Sequence, residues 1–248
     1  APGVRMGPVK AITDGSLNTR TARCVDHYLG VADSERGQMN YTEQELGKLL
    51  ADAKTHGFVP ALHAIGDEAV HTVLNLFEQT GISGRMEHVQ LVSRSDLPRF
   101  RELGVVASVQ PQHAVDDRDV ADRYWADRVD RVIALRGLRD HGATLIFGSD
   151  APVSALDPLA QIAAAVTRTD DEREPWQPAQ RLDILEAVEA STRSQIAIGE
   201  PADLVAMSAD PTWLAEALGS RPSELSQALR ALDVELTVRG GVTTHQSL

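Results

Sequence analysis

A single cysteine, Cys24, occurs in 248 residues, so no disulfide can form within the chain, and a reduced, cytoplasmic setting is the expectation. Lysine is nearly as scarce: Lys10, Lys48 and Lys54 are the only three among 24 basic residues, a bias most simply read as genome composition. Positive charge is short overall. A net charge of −12 and a pI near 5.1 leave no basic face to displace counterions, which argues against nucleic acid or an anionic membrane as partner and favours a neutral or cationic small molecule. No run approaches the roughly 18 apolar residues of a membrane span, and the start Ala1-Pro-Gly-Val lacks a charged-then-apolar signal pattern, so a soluble protein is expected. No Gly-x-Ser-x-Gly elbow starts a Ser-His-Asp triad, Cys24 has no histidine paired with it in sequence, and no Gly-x-x-x-x-Gly-Lys loop is present. Covalent catalysis and phosphate-loop chemistry are thereby disfavoured.

What is present is a repeated punctuation. Gly57, Gly81, Gly104 and Gly142 each fall between a helical pattern and an apolar run, where glycine acts as the left-handed cap that stops a helix before a strand. The first helix opens on a capping box, Thr42-Glu-Gln-Glu45, with Leu46, Leu49, Leu50 and Ala53 on one face. Further helices are expected at about 68–79, 95–103 and 128–140, and strands at 58–65, 85–92, 105–111 and 143–149. Alternation of this kind indicates parallel βα units and an α/β fold, with 42% hydrophobic residues enough for one large domain. Asp157 then reads as an N-cap followed by Pro158 at the first helical position, residues 14–40, 112–127 and 169–180 as the loops after strands that would shape a substrate site, and 181–191 as a helix. After about residue 196 the pattern changes to antiparallel strands around a helical insertion, with Gly240-Gly241 as a hairpin turn. The expected division is 1–195 and 196–248.

Counted from their cap glycines, His63, His88 and Asp150 all fall at the carboxyl ends of strands, the end that carries active sites in parallel α/β folds. A zinc-type divalent cation wants rigidly held imidazole and carboxylate ligands, and neighbouring strands about 4.8 Å apart could let His63 and His88 share one ion. Each histidine alone is more often a hydrogen-bonded core residue; the three together favour a metal centre with Asp150 as ligand and base. Capping remains the bland reading of Asp150, and is the preferred one for Asp67. Strand alternation turns Glu87 away from the face used by His88, which makes it structural. His113 could polarise a substrate carbonyl or stand in a solvent-facing loop. Lys10, if buried, could be converted by CO2 to a carbamate ligand, although its pattern better fits a surface lysine.

These segments resemble amidohydrolase family three, the branch of the metal-dependent amidohydrolase superfamily that includes N-substituted formamide deformylase. The resemblance rests on Val9-Lys10 with Asp14-Gly-Ser-Leu and Arg20-Thr-Ala, His63-Ala-Ile-Gly-Asp67, Glu87-His88-Val-Gln90, Gln110-Pro-x-His113, Gly148-Ser-Asp150-x-Pro-Val153, and Asp157-Pro-Leu with Ala165-Val-Thr-Arg168. It implies a partial (β/α)8 TIM-like barrel of about five βα units with a small C-terminal sandwich half. It also implies a divalent metal, zinc or one like it, on His63, His88 and Asp150 with Lys10 as a possible carbamate ligand, and hydrolysis of a non-peptide C–N amide bond by metal-activated water. Arg20 and His113 are the candidates for contact with a small amide substrate. Family members open with a His-x-His strand, and no His-x-His occurs here, so the segment matches the carboxyl-terminal part of such an enzyme. An oligomer or a missing amino-terminal half is then expected to cover the sheet edges. The alternative is a catalytically silent interaction module on the same scaffold.

Overall fold

The structure, a computed structural model, describes residues 6–247. Five strands, β1 (Val9–Ile12), β2 (Pro60–Ala64), β3 (Arg85–His88), β4 (Val106–Val109) and β5 (Leu145–Phe147), form one parallel sheet in the order β1-β2-β3-β4-β5. The fold is α/β. Strand order follows chain order without reversal, as in barrels and unlike doubly wound sheets, whose order switches direction. β1 and β5 are the edges of this sheet.

The helices follow from local rules. α1 (Glu43–His56) begins on the Thr42–Glu45 capping box and ends at Gly57, whose φ of 70° is the left-handed conformation the cap needs. Its Leu46, Leu50 and Ala53 are buried, worth roughly 1.5–3 kcal/mol for each leucine. α2 (Asp67–Thr80) buries Val70, Val73, Leu74 and Phe77 and stops at Gly81. α3 (Leu97–Glu102), α4 (His113–Asp116), α5 (Arg118–Tyr124), α6 (Leu135–Asp140), α7 (Pro158–Thr167) and α8 (Ile184–Ser191) complete the first body. α7 starts as its sequence dictates: the Asp157 carboxylate accepts the Leu159 amide at 2.9 Å, ahead of Pro158. One apolar cluster joins the strands to this layer through Leu62, Met86, Val109, Phe100 and Trp125.

Three expectations need correction. The helix expected over 128–140 is only its second half, because residues 131–133 are drawn out as a partner for 90–92: the Ile133 amide donates to the Gln90 carbonyl at 2.7 Å and the Val92 amide to Arg131. The strand expected over 85–92 ends at His88, where φ turns positive at both His88 (75°) and Val89 (47°). The segment 112–127, expected as a loop, is mostly helical in α4 and α5.

The carboxyl-terminal part is a second sheet, β6 (Leu204–Met207), β7 (Val234–Arg239) and β8 (Val242–Gln246), antiparallel in the order β6-β7-β8, with α9 (Pro211–Leu218) and α10 (Pro222–Arg230) inserted after β6. Gly240 and Gly241, at φ 57° and 79°, make the tight hairpin between β7 and β8. Leu225 and Leu229 of α10 pack on Ala163 of α7, which ties the insertion to the first body. Among the described residues no helix is long and apolar enough to cross a membrane.

Candidate active site

One cleft runs along a face of the parallel sheet, lined by residues of β1 to β5 and of the turns that follow β4 and β5; His63 is not part of its lining. Register places Ile12, His63, Glu87, Ser108 and Ile146 in one row across the sheet, so their side chains share a face. His88 pairs with Ala64 and by alternation belongs on the other face. Its left-handed backbone instead turns the ring back, and the His63 and His88 ring centroids lie 4.5 Å apart at an interplanar angle of 66°. His113, the first residue of α4, is buried and stacks on His88 at 6.2 Å. His63, His88 and His113 thus form a contiguous imidazole group, and the solvent-facing reading of His113 is excluded. Glu87 lines the same cleft as His88, which corrects the expectation that the two face apart.

Lys10, Arg85, Glu87, His88, Ser108, Gln110 and Asp150 line this cleft of about 490 Å³. Asp150 stands three residues past β5, exposed, in left-handed conformation (φ 55°), and caps no helix. Lys10 is exposed as a residue yet faces the cleft, and partial burial lowers the pKa of its ammonium against the opposing pull of Glu87 and Asp150. Burial pushes the His88 imidazole down to about 2, reinforced by His63, His113 and Lys10, so the ring is neutral at physiological pH. Among the described residues its Nδ1, which is buried, meets no hydrogen-bond partner, and neither does the buried Nε2 of His113. Arg20 is not part of the cleft lining: it is exposed, with its guanidinium 5.6 Å from the centre of the Tyr124 ring.

The residue that sequence reasoning undervalued is Asp14. It is fully buried, and its carboxylate accepts the amides of Arg23, Ile65 and Gly66 at 2.9–3.0 Å. The same carboxylate lies 3.3 Å from His63 Nε2, which also donates to the Gly15 carbonyl at 3.2 Å. With its Nε2 proton so engaged, His63 keeps the Nδ1 lone pair free. The available signal was the apolar strand Val9–Ile12 running directly into Asp14, the same design that delivers His63. Asp67 likewise is not the N-cap of α2, which is Gly66; its carboxylate accepts the Val25 amide and pairs with Arg131 at 3.0 Å.

The neutral His88 ring, and His63 with its Nδ1 lone pair free, are nitrogen donors that suit a soft or borderline cation. Among the described residues, however, no three His, Cys, Asp or Glu side chains are grouped closely enough to hold one. The donor set fits as an imidazole pair, with Asp150 and Lys10 sharing the cleft rather than closing a shell.

A sequential parallel sheet with histidines and an aspartate at its strand ends defines a parallel α/β protein with its candidate site at those ends. The chain belongs to the amidohydrolase family, whose sequence profile matches residues 1–245. It is 33% identical over 199 residues to the protein LONG AFTER FAR-RED 3 of Arabidopsis thaliana, covering 76% of this chain and 34% of that protein. It is 30% identical over 230 residues to YtcJ of Bacillus subtilis (strain 168), which carries an amidohydrolase name, covering 85% and 43%. Among solved structures it resembles an uncharacterized metal-dependent hydrolase from Pyrococcus horikoshii OT3, at 35% identity and a TM-score of 0.69, over 75% of this chain and 38% of that one. The chain therefore spans less than half, 34% to 43%, of the length of these relatives.

Proposed function

We propose that this chain carries part of the catalytic centre of a metal-dependent amidohydrolase that cleaves a non-peptide C–N amide bond of a small molecule, built on a partial (β/α)8 barrel with residues 196–248 as a separate small unit. The observation that carries the reading is the 4.5 Å approach of His63 and His88, achieved at the cost of left-handed backbone at His88 and Val89. A divalent cation, zinc by the chemistry of the donors, would be held by His63 and His88, with Asp150 from the cleft shared with His88 and with Lys10 once converted to its carbamate. Such an ion lowers the pKa of water toward 7 and polarises a carbonyl. Asp150, exposed at the rim, accepts the proton of the attacking water and passes it to the departing nitrogen. His113, stacked on His88, would polarise the substrate carbonyl, and Lys10 and Arg85 share the cleft with Glu87 and Asp150.

The test is metal stoichiometry. The purified chain, stripped with chelator, reloaded with zinc at about pH 7.5 and desalted, should retain zinc, and His63→Ala with His88→Ala should abolish retention while Asp150→Asn weakens it. Equal zinc content in wild type and double variant would overturn the reading. A second reading, a catalytically silent interaction module, is favoured by the incomplete donor grouping and by the two open edges of the parallel sheet. It predicts no zinc retention but a concentration-dependent mass in solution.

A further inference from the structure

Gln110 follows β4 directly and reaches into the same cleft as His88. It is 6% exposed, and its two amide atoms have different surroundings. Nε2 donates to the Ser108 carbonyl at 3.3 Å, which fixes the orientation of the amide and leaves Oε1 as a free acceptor. Among the described residues the buried Oε1 finds no hydrogen-bond partner, and neither does the buried Nδ1 of His88. An acceptor and a ring nitrogen, both desolvated and both orphaned on neighbouring strand ends, each carry a desolvation cost that a hydrogen bond between them would remove.

We propose that Gln110 is a positioning residue for His88: its Oε1 accepts the proton of His88 Nδ1, locks the neutral ring in the Nδ1–H tautomer, and thereby presents Nε2 with its lone pair to the cleft. The pairing makes the two imidazoles complementary. Asp14 and the Gly15 carbonyl hold the Nε2 proton of His63 and free its Nδ1, whereas Gln110 holds the Nδ1 proton of His88 and frees its Nε2. Two rings 4.5 Å apart then offer lone pairs rather than protons, the condition for sharing one electrophile. The inference deepens the proposed function at the same site but does not need a metal to be tested.

The experiment is long-range 15N–1H correlation spectroscopy of the full, 15N-labelled, chelator-treated chain near neutral pH, with the His88 resonances assigned by their loss in His88→Gln. Wild type should show His88 as a single Nδ1–H tautomer. Gln110→Glu, which keeps an acceptor, should preserve it; Gln110→Leu, which has none, should shift His88 to a mixture or to the Nε2–H form. Zinc retention by Gln110→Leu should fall roughly tenfold or more, as for other partners of metal-binding histidines. An Nε2–H tautomer in wild type, or an unchanged Nδ1–H pattern in Gln110→Leu, overturns the proposal, and the wild-type spectrum decides it even if Gln110→Leu does not fold. Because these spectra are recorded without metal, failure of the zinc experiment leaves this result standing, and the converse also holds.

Discussion

The rings of His63 and His88 meet at 4.5 Å although strand register assigns them to opposite faces of the sheet. Glu87, not His88, is the residue paired with His63. What overrides alternation is a two-residue departure from strand geometry, φ 75° at His88 and 47° at Val89. Histidine tolerates that region fairly well; a β-branched valine does not. The chain accepts the strain because Val89 is fully buried and its amide is held by the Ala64 carbonyl at 3.0 Å, so the surrounding contacts over-determine the turn.

Stability should fall in mild acid, and His88 should account for part of that fall. Its folded pKa, about 2, lies below its ordinary 6.5, because burial and the neighbouring cations oppose the charged ring. Between those two values the unfolded chain binds a proton that the folded chain refuses, so stability is fully present above about pH 6.5 and declines below it, by at most about 1.4 kcal/mol per pH unit from this group. Urea titrations of wild type and His88→Gln at several pH values between about 6.5 and 4.5 check this. The variant should show the shallower decline, and parallel curves would contradict the burial of a neutral ring.

The left-handed turn gives a second test. Val89→Gly and Val109→Gly remove the same side chain from positions that are both fully buried, one at φ 47° and one in regular strand. Glycine recovers the strain at 89 but not at 109, so the loss in unfolding free energy should be smaller at 89 by about 1–2 kcal/mol. Equal losses would show that residue 89 stores no strain.

Much of this was legible in the residues. Cap glycines located the βα joints because only glycine sits easily at φ near +60°, and Gly57, Gly81, Gly104 and Gly142 all adopt it. The strand-end placement of His63, His88 and Asp150 followed by counting from those caps. What could not be read was set by contacts distant in sequence. The helix expected from Arg128 is cut because Ile133 is pulled toward Gln90 and because the buried Arg168 guanidinium donates to the Ile133 carbonyl. Glu87 was assigned to the wrong side because alternation assumes regular φ through His88. Asp14 and Gln110 look ordinary in sequence; only the approach of loop 23–25 and of His88 gives their polar atoms a purpose.

Asp14→Ala should destabilise the chain strongly. The substitution leaves three buried amides, of Arg23, Ile65 and Gly66, without an acceptor and removes a partner of His63 Nε2. A loss of about 3 kcal/mol or more is expected from the orphaned donors alone. Asp14→Asn keeps one acceptor oxygen but brings an NH2 toward amide donors, so it should recover only a minor part of that loss in denaturant unfolding. Full recovery would mean that shape, rather than acceptor capacity, holds the strand ends together.

The buried Arg168 makes a separate prediction about loop 169–180. Among the described residues its guanidinium has no carboxylate partner; it donates to the carbonyls of Trp176 and Ile133 at 3.0 and 3.2 Å and lies 5.4 Å from the centre of the Trp176 ring. Arg168→Met fills the space but supplies no donors, and should cost about 2–4 kcal/mol. The loop should also become the first site of cleavage in limited proteolysis, which in wild type it should resist; unchanged proteolysis would place the loop's anchor elsewhere.

Two glycines should respond in opposite directions to the same substitution. Gly66 has φ −77° and ψ 151°, which any residue adopts, so alanine there should gain slightly by stiffening the unfolded chain. Space forbids it: an added Cβ would lie 2.0 Å from the Arg23 carbonyl oxygen and 2.7 Å from its amide nitrogen, backbone atoms that cannot swing aside. Moving them would unhook the Arg23 amide from Asp14, so Gly66→Ala should cost about 1–3 kcal/mol. Gly47, inside α1, meets only Leu76 Cδ2 at 3.8 Å, an ordinary contact, and Gly47→Ala should stabilise by about 0.5–1 kcal/mol through helix propensity. Thermal midpoints of the two variants should therefore move apart, and a gain in both would show that the 23–25 loop is not seated against the end of β2.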